Sequence, residues 1–446
     1  VLAIPTRARR WVPVGPDSSG DALRALTVYL VVVFAIPARL VVSPLGAAGT
    51  PGTIMGLGFL AWWVVARLVP SLGVARAFSP VRVALGILVL SILSSYTWSA
   101  LHPLPPDQRT AADLGLLSIL SLVGIALVAM DMLGSIDSVE TLLRRMVIAG
   151  ALLAALGVLQ FATGFDIAAL VKIPGLRANH ALVFIGERSK FRRVAGTASH
   201  PIEMGMVLAT VLPLALHYAA YTRRHRRRWQ LMALVIGICI PMTLSRAAIL
   251  GTIAGFLLMF FTWPGRRRAF TVAVAPVFVV LMRIAIPGLV GTISSMFTNL
   301  SKDDSIKGRT DDYAVVGKFI DRSPWLGRGY GTFIPKDFFT LDNQYLGSIV
   351  ETGYLGLAAL VTFFMVMYFT ARSVRRRFVG EASRDLAQSL AGVAVVVGLG
   401  FATFDGLGYP MIDGVLFLAA GCTGALYRLT RPSRSVAMPG VEVAAA

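Results

Sequence analysis

Arg246 stands between two runs, 229–244 and 247–263, that contain no other charge. A guanidinium in such surroundings costs about 2.5 kcal/mol or more on insertion scales, so it must snorkel to a head group, pair with an acid or hold an anionic ligand. The stretch FRRVAGTASHPIEMG, 191–205, joins Arg192 and Arg193 to a Gly-Thr-Ala-Ser turn, then to His200-Pro201, with Glu203 in the following turn. Ser199 or His200 fits a helix N-cap and Pro201 the first helical position. A helix start beside two arginines combines backbone N–H groups with positive charge, which favours phosphate. Asp342 and Asn343 open a further apolar run, and Glu351 lies inside it. Nine residues of helix set the two acids about half a turn out of phase, so they need not share a face. Asp342 can meet both water and the membrane boundary and is the better placed to accept a proton. Glu351 reads as a second candidate, or as the structural partner of a buried arginine.

The elements that must position these groups are membrane helices. The 446 residues are 56% hydrophobic and 15% charged, and apolar runs of about 20 residues recur throughout. The runs are continuous rather than alternating, and backbone groups in hydrocarbon must be satisfied within the segment, so helices are expected and not barrel strands. About twelve spans are predicted, near 23–43, 51–70, 81–100, 111–132, 142–163, 202–221, 229–245, 247–263, 269–292, 344–370, 386–404 and 412–428. Arginines fall in every second connection, including RRHRRR at 223–228 and RRR at 375–377. The positive-inside rule then puts both termini in the cytoplasm. The domain reading is a cytoplasmic segment 1–22, one transmembrane domain 23–434 with outer loops 164–200 and 293–343 capping the site, and a cytoplasmic tail 435–446. The first span has the flanks of a signal anchor rather than of a cleavable signal.

The net charge of +19 is mostly topological, and the short basic clusters form no nucleic-acid module. All six lysines lie in the two outer loops, whose basic character suits an anionic substrate or lipid head group. Cys239 and Cys422 sit inside spans and read as packing residues. No Walker-type loop is present, so transport driven by nucleotide is excluded. Within 307–333, Tyr313, Val316, Phe319 and Ile320 have helical spacing and predict an amphipathic helix on the outer surface. SPWLGRGYGTF after it reads as a glycine-rich turn series without phosphate-binding spacing.

Taken in order, RVAGTASHPIEMG, LSRAAILG, GRTDDYAVVGKFIDRSPWLGRGYGTF and DNQYLGSIVETGYLGL resemble the O-antigen ligases and the related O-antigen and exopolysaccharide polymerases. These are integral membrane glycosyltransferases of the GT-C type, and the resemblance covers about residues 190–360. It implies an all-α fold of about twelve spans with a long outer loop between the ninth and tenth. The implied activity is transfer of a glycan from a polyprenyl diphosphate carrier to an acceptor hydroxyl on the outer face of a bacterial cytoplasmic membrane. The donor is then a lipid-linked glycan, and the acceptor a glycan, lipid or envelope component. Arg193, Arg246 and Arg309 match arginines that hold the diphosphate in the family, and Arg192 adjoins them. Asp342 and Glu351 are the candidate catalytic acids, and His200, Asn343 and Tyr345 the residues expected to meet the acceptor.

Guanidinium groups in a dry site stabilise the charge of a departing diphosphate without a metal, and no cofactor is expected. The pairs Asp303-Asp304 and Asp311-Asp312 form the competing, metal-dependent expectation. Ligases of the family commonly carry a histidine where this chain has Asp342, which argues for a polymerase or for a ligase of another surface glycan. A carboxylate can still take the proton, with inversion at the anomeric carbon. The other function classes are a flippase for lipid-linked glycans, which would line both leaflets with cations, and a non-catalytic envelope scaffold.

Overall fold

The computed structural model describes residues 16–69, 74, 75, 77–179, 187, 188, 191–298 and 316–431. Each of the twelve predicted spans holds a helix. They are α1 (Pro16–Ala35), α2 (Pro51–Leu68), α3 (Pro80–Ala100), α4 (Pro106–Met132), α5 (Ile136–Thr163), α6 (Pro201–Tyr221), α7 (Arg226–Met242), α8 (Arg246–Phe260) and α9 (Gly265–Ala285). After a short α10 (Leu289–Thr298) and a helical stretch 316–322, here α11, come α12 (Gln344–Arg377), α13 (Glu381–Gly400) and α14 (Pro410–Leu429). Among the described residues eight helices are long and apolar enough to cross a membrane; α1, α7, α8 and α13 are shorter or more polar. The described strands are two-residue pairs: β1 (Leu40–Val41) with β2 (Arg177–Ala178), and β3 (Glu187–Arg188) with β4 (Phe191–Arg192), both antiparallel.

Helix starts follow local chemistry. Prolines occupy the first turn of α2, α3, α4, α6 and α14, where the missing N–H has no intrahelical partner to lose. Thr50, Ser135, His200, Ser245 and Asn343 cap their helices through side-chain acceptors. In lipid the apolar effect gives helices no reason to associate, so close approach of small residues must do it. α14 supplies such a face: a Cβ at Gly421 would meet the Ala129 Cβ of α4 at 2.7 Å. Accordingly α14 and α6 are almost wholly buried at the centre, while α9 is almost wholly exposed at the periphery.

Polar groups gather at the two ends of the bundle. At the arginine-rich end Asp131 is fully buried and accepts from Trp63 Nε1 (2.9 Å), Arg67 (3.1 Å) and Arg82. Nearby, Asp385 joins His217 (2.8 Å) to Arg267 (3.2 Å). At the other end, which carries the long connections, Arg39 pairs with Asp166 at 3.4 Å, and Arg283 is exposed near the end of α9. Cys239 and Cys422 are buried and free.

The glycine-rich series 324–333 does more than turn. α12 is broken at Gly353 (φ 66°, ψ −168°), and the freed backbone groups around the break bond to this segment. Arg328 N donates to Val350 O and Gly329 N to Glu351 O, both at 3.0 Å, while Tyr354 N donates to Pro324 O at 2.8 Å. Irregular backbone inside a span is tolerated when protein satisfies it in this way. Both chains must come very close: a Cβ on Gly353 would lie 2.6 Å from Leu326 N, and one on Gly327 would lie 2.6 Å from Thr352 N. The φ/ψ of Gly353 is essentially reserved for glycine. Gly353→Ala should therefore destabilise the protein by roughly 3 kcal/mol or more. Thermal unfolding of the purified protein in detergent measures this, and an unchanged midpoint would refute the account of the break.

α11 carries the expected apolar face, and its side chains Val316, Phe319 and Ile320 pack with Phe333, Phe339, Leu341, Ile349 and Val350 at the start of α12. Tyr313, the first residue of that pattern, lies outside the described residues, as do Arg309, Asp303-Asp304 and Asp311-Asp312.

Candidate active site

The segment after β4 is fixed from three sides. Gln160, at the end of α5, accepts from Ala195 N (3.1 Å) and Gly196 N (2.9 Å). Glu203, buried in the first turn of α6, accepts from Ser199 N (2.7 Å) and Oγ (2.6 Å) with one oxygen, and from Met411 N (2.7 Å) with the other. His200 is the N-cap of α6, its Nδ1 accepting from Ile202 N at 3.1 Å, so the ring proton belongs on Nε2. Burial, with Arg193 nearby, lowers the His200 pKa to about 4 and keeps the ring neutral at physiological pH.

Arg193 donates from Nε to Thr243 O at 3.2 Å, in the turn between α7 and α8. That turn is unusual: the buried Leu244 has φ 49°, a conformation that costs a non-glycine residue about 1–3 kcal/mol and concentrates at functional sites. Gly205 lets α6 approach it, since a Cβ there would lie 2.7 Å from Thr243 Oγ1. Ser245 then caps α8, and Arg246 is its first residue, with Nε and Nη1 buried. Two helix starts and two arginines thus lie side by side at the long-connection end. Arg192 goes elsewhere, donating to Gly164 O at 3.2 Å from an exposed position. Arg192 closes β4 and is exposed, whereas Arg193 follows the strand and is half-buried.

The carboxylates arrive from α12 and the α13–α14 connection. Asn343 caps α12, its Oδ1 accepting from Tyr345 N (3.0 Å) and Leu346 N (3.3 Å). The Tyr345 hydroxyl donates to Gly398 O at 2.5 Å. Both residues expected to meet the acceptor therefore make structural bonds. Gln344 ties the start of α12 to the connection: its N–H reaches Phe401 O (2.8 Å) and its Oε1 accepts from Leu407 N (2.8 Å). This places Asp342 against Asp405 and Tyr409. The tyrosine hydroxyl is pushed up by burial, then by Asp405, Glu203 and Asp342, and pulled down by Arg193, so the charges of all four act on it. The His200 ring lies 5.9 Å from that of Tyr409.

Glu351 accepts from Phe333 N at 3.1 Å, a backbone partner from the glycine-rich series, and the half-buried Arg328 of that series acts on it electrostatically. It lines a cavity of about 400 Å³ together with Tyr29, Tyr330, Gln344, Asp405 and Asp413. Asp405, Tyr409 and Asp413 were absent from the sequence reading. An acid inside an apolar run marks Glu351, and the same criterion marks Asp413; Asp405 stands out only through its neighbours.

Water reaches Asp405 from the cavity, yet protein encloses it, and with the Asp342 carboxylate beside it the pKa rises from 3.8 to about 6. Because the folded state disfavours the ionised form, stability contributed at this site is greatest below about pH 4, declines as pH rises to about 6 and stays low above. Asp405→Asn removes the titration. The variant should unfold at a higher temperature than the parent at pH 7.5 and at the same temperature at pH 4; the reverse ordering would contradict the placement.

Fold and site together define a polytopic helical membrane protein with an arginine- and carboxylate-bearing centre at one end of the bundle. Residues 230–361 match the model of the O-antigen ligase family. The match runs from α7 into α12 and contains Arg246, Asp342 and Glu351. No curated protein matches the chain.

Proposed function

We propose that the chain is a membrane glycosyltransferase of the GT-C type, with twelve spans and cytoplasmic termini, working at the outer face of a bacterial cytoplasmic membrane. It moves a glycan from a polyprenyl diphosphate carrier to an acceptor hydroxyl, as a surface polysaccharide polymerase or ligase. The observation that carries this reading is the placing of Arg193 and Arg246 at adjoining helix starts, on the same end of the bundle as Asp342.

In this reading the carrier diphosphate lies against the two guanidinium groups and the N-termini of α6 and α8, where donors converge on an anion. As the acceptor oxygen bonds to the anomeric carbon, the bond from that carbon to the diphosphate oxygen breaks with inversion. The electron pair leaves on the diphosphate, and the fixed positive charge stabilises it. Asp342 takes the proton of the acceptor hydroxyl. His200 is neutral and committed to capping α6, so it serves position rather than proton transfer.

Mass spectrometry of polyprenyl-diphosphate-linked glycans in a strain lacking the gene tests the reading. Lipid-linked glycan should accumulate on the outer leaflet and clear when the wild-type gene is restored, with single repeats marking a polymerase and long chains a ligase. Accumulation on the inner leaflet would instead indicate a flippase, and no change in any lipid-linked species would end the enzyme reading.

A further inference from the structure

The cavity that Glu351 lines differs in chemistry from the arginine centre. α1, the start of α2, α4, the 330–335 segment and the 405–413 connection enclose it. Its described charged residues are Glu351, Asp405 and Asp413, with no lysine, arginine or histidine among the lining. Beside them stand hydroxyls, including those of Thr50, Ser118 and Tyr330, and apolar side chains such as Val33 and Leu114. Asp413 is 2% exposed, and its Oδ1 has no hydrogen-bond partner among the described residues. A buried carboxylate oxygen in that state needs a donor from whatever fills the space.

Among the described residues no three His, Cys, Asp or Glu groups converge as metal ligands. A phosphate or uronate would add another acidic group where three carboxyl groups already crowd one cavity. A neutral pyranose brings further hydroxyl donors for the carboxylates and C–H faces for the apolar side chains, and adds no charge. A volume of about 400 Å³ suits a small ligand or a short stretch of a longer one. Gln344 and Asp405 line the cavity, Asp342 stands two residues before Gln344 and its charge acts on Asp405, so a sugar held there lies toward the candidate base.

We propose that this cavity is the acceptor-sugar subsite and that it selects uncharged pyranose units over those bearing carboxylate or phosphate. The proposal rests on the glycosyl-transfer reading for its name, but not for its test, which reads binding and needs no donor. Saturation-transfer difference NMR on the full chain in lipid nanodiscs at pH 7.5 would use lactose, maltose and N,N′-diacetylchitobiose as neutral probes and digalacturonate as the anionic one.

At least one neutral disaccharide should give a signal that falls tenfold or more in Ser118→Trp, which fills the cavity, and in the isosteric Asp413→Asn, which folds without a volume change. Digalacturonate should give none with wild type and gain a signal in Asp405→Asn/Asp413→Asn. Absence of signal from all three neutral probes overturns the proposal. So does a signal that both single variants leave intact, or equal binding of digalacturonate by wild type. Arg246→Ala should keep the disaccharide signal. If wild type clears no lipid-linked glycan in cells while the signal persists, the transfer reading fails and the sugar site stands.

Discussion

Replacing Arg246 by Ala should lower transfer from a lipid-linked donor by about 10²–10³-fold, the usual effect of removing one fixed donor from a developing oxyanion. The substitution leaves the surrounding helix intact. Ser245 still caps α8 through Ala248 N at 3.3 Å, and alanine is the best helix former at the vacated position. The loss should therefore appear in turnover and in donor affinity, with unchanged insertion and an unchanged elution profile in detergent. Arg246→Lys keeps the charge but not the planar fork that grips a diphosphate, and should recover only part of the activity. Full turnover by the alanine variant with a purified lipid-linked donor would remove the diphosphate clamp and leave the arginine a structural role.

Asp342→Asn should lower kcat by about 10²–10⁴-fold, the range for losing a general base, while the KM for the donor stays within a factor of two or three. The amide has nearly the same shape and cannot accept the proton. It also removes the negative charge beside Asp405, so a purely electrostatic role for Asp342 would show as a changed pH profile without the fall in kcat. Unchanged turnover would pass the base to Asp405 or Glu351, two of the carboxylates that line the cavity.

Much of the helical scaffold was legible because a bilayer leaves few options. Continuous apolar runs become helices, and His200-Pro201 announces a helix start by local stereochemistry alone. The centre was legible where a charge broke such a run, as with Arg246 and Glu351. It was illegible where the deciding bond spans a great distance in sequence. Glu203 reaches Met411 across 208 residues and Gln344 reaches Leu407 across 63, and these bonds bring Asp405 and Tyr409 to the site. Nor could composition separate Arg192, which closes β4 and bonds to Gly164 O, from Arg193, which follows the strand and bonds to Thr243 O. That Asn343 also caps α12 and Tyr345 also bonds to α13 is not legible either, because polar residues at a helix mouth suit ligand contacts, caps and interhelical bonds alike.

The junction between the 324–333 segment and the break in α12 is made by main-chain atoms. Tyr330 and Phe333 face the cavity while the seam itself is main chain. A change of side chain at either position would therefore reshape the wall and leave in place the bonds that hold the Glu351 turn, as long as Gly327, Gly329 and Gly353 persist.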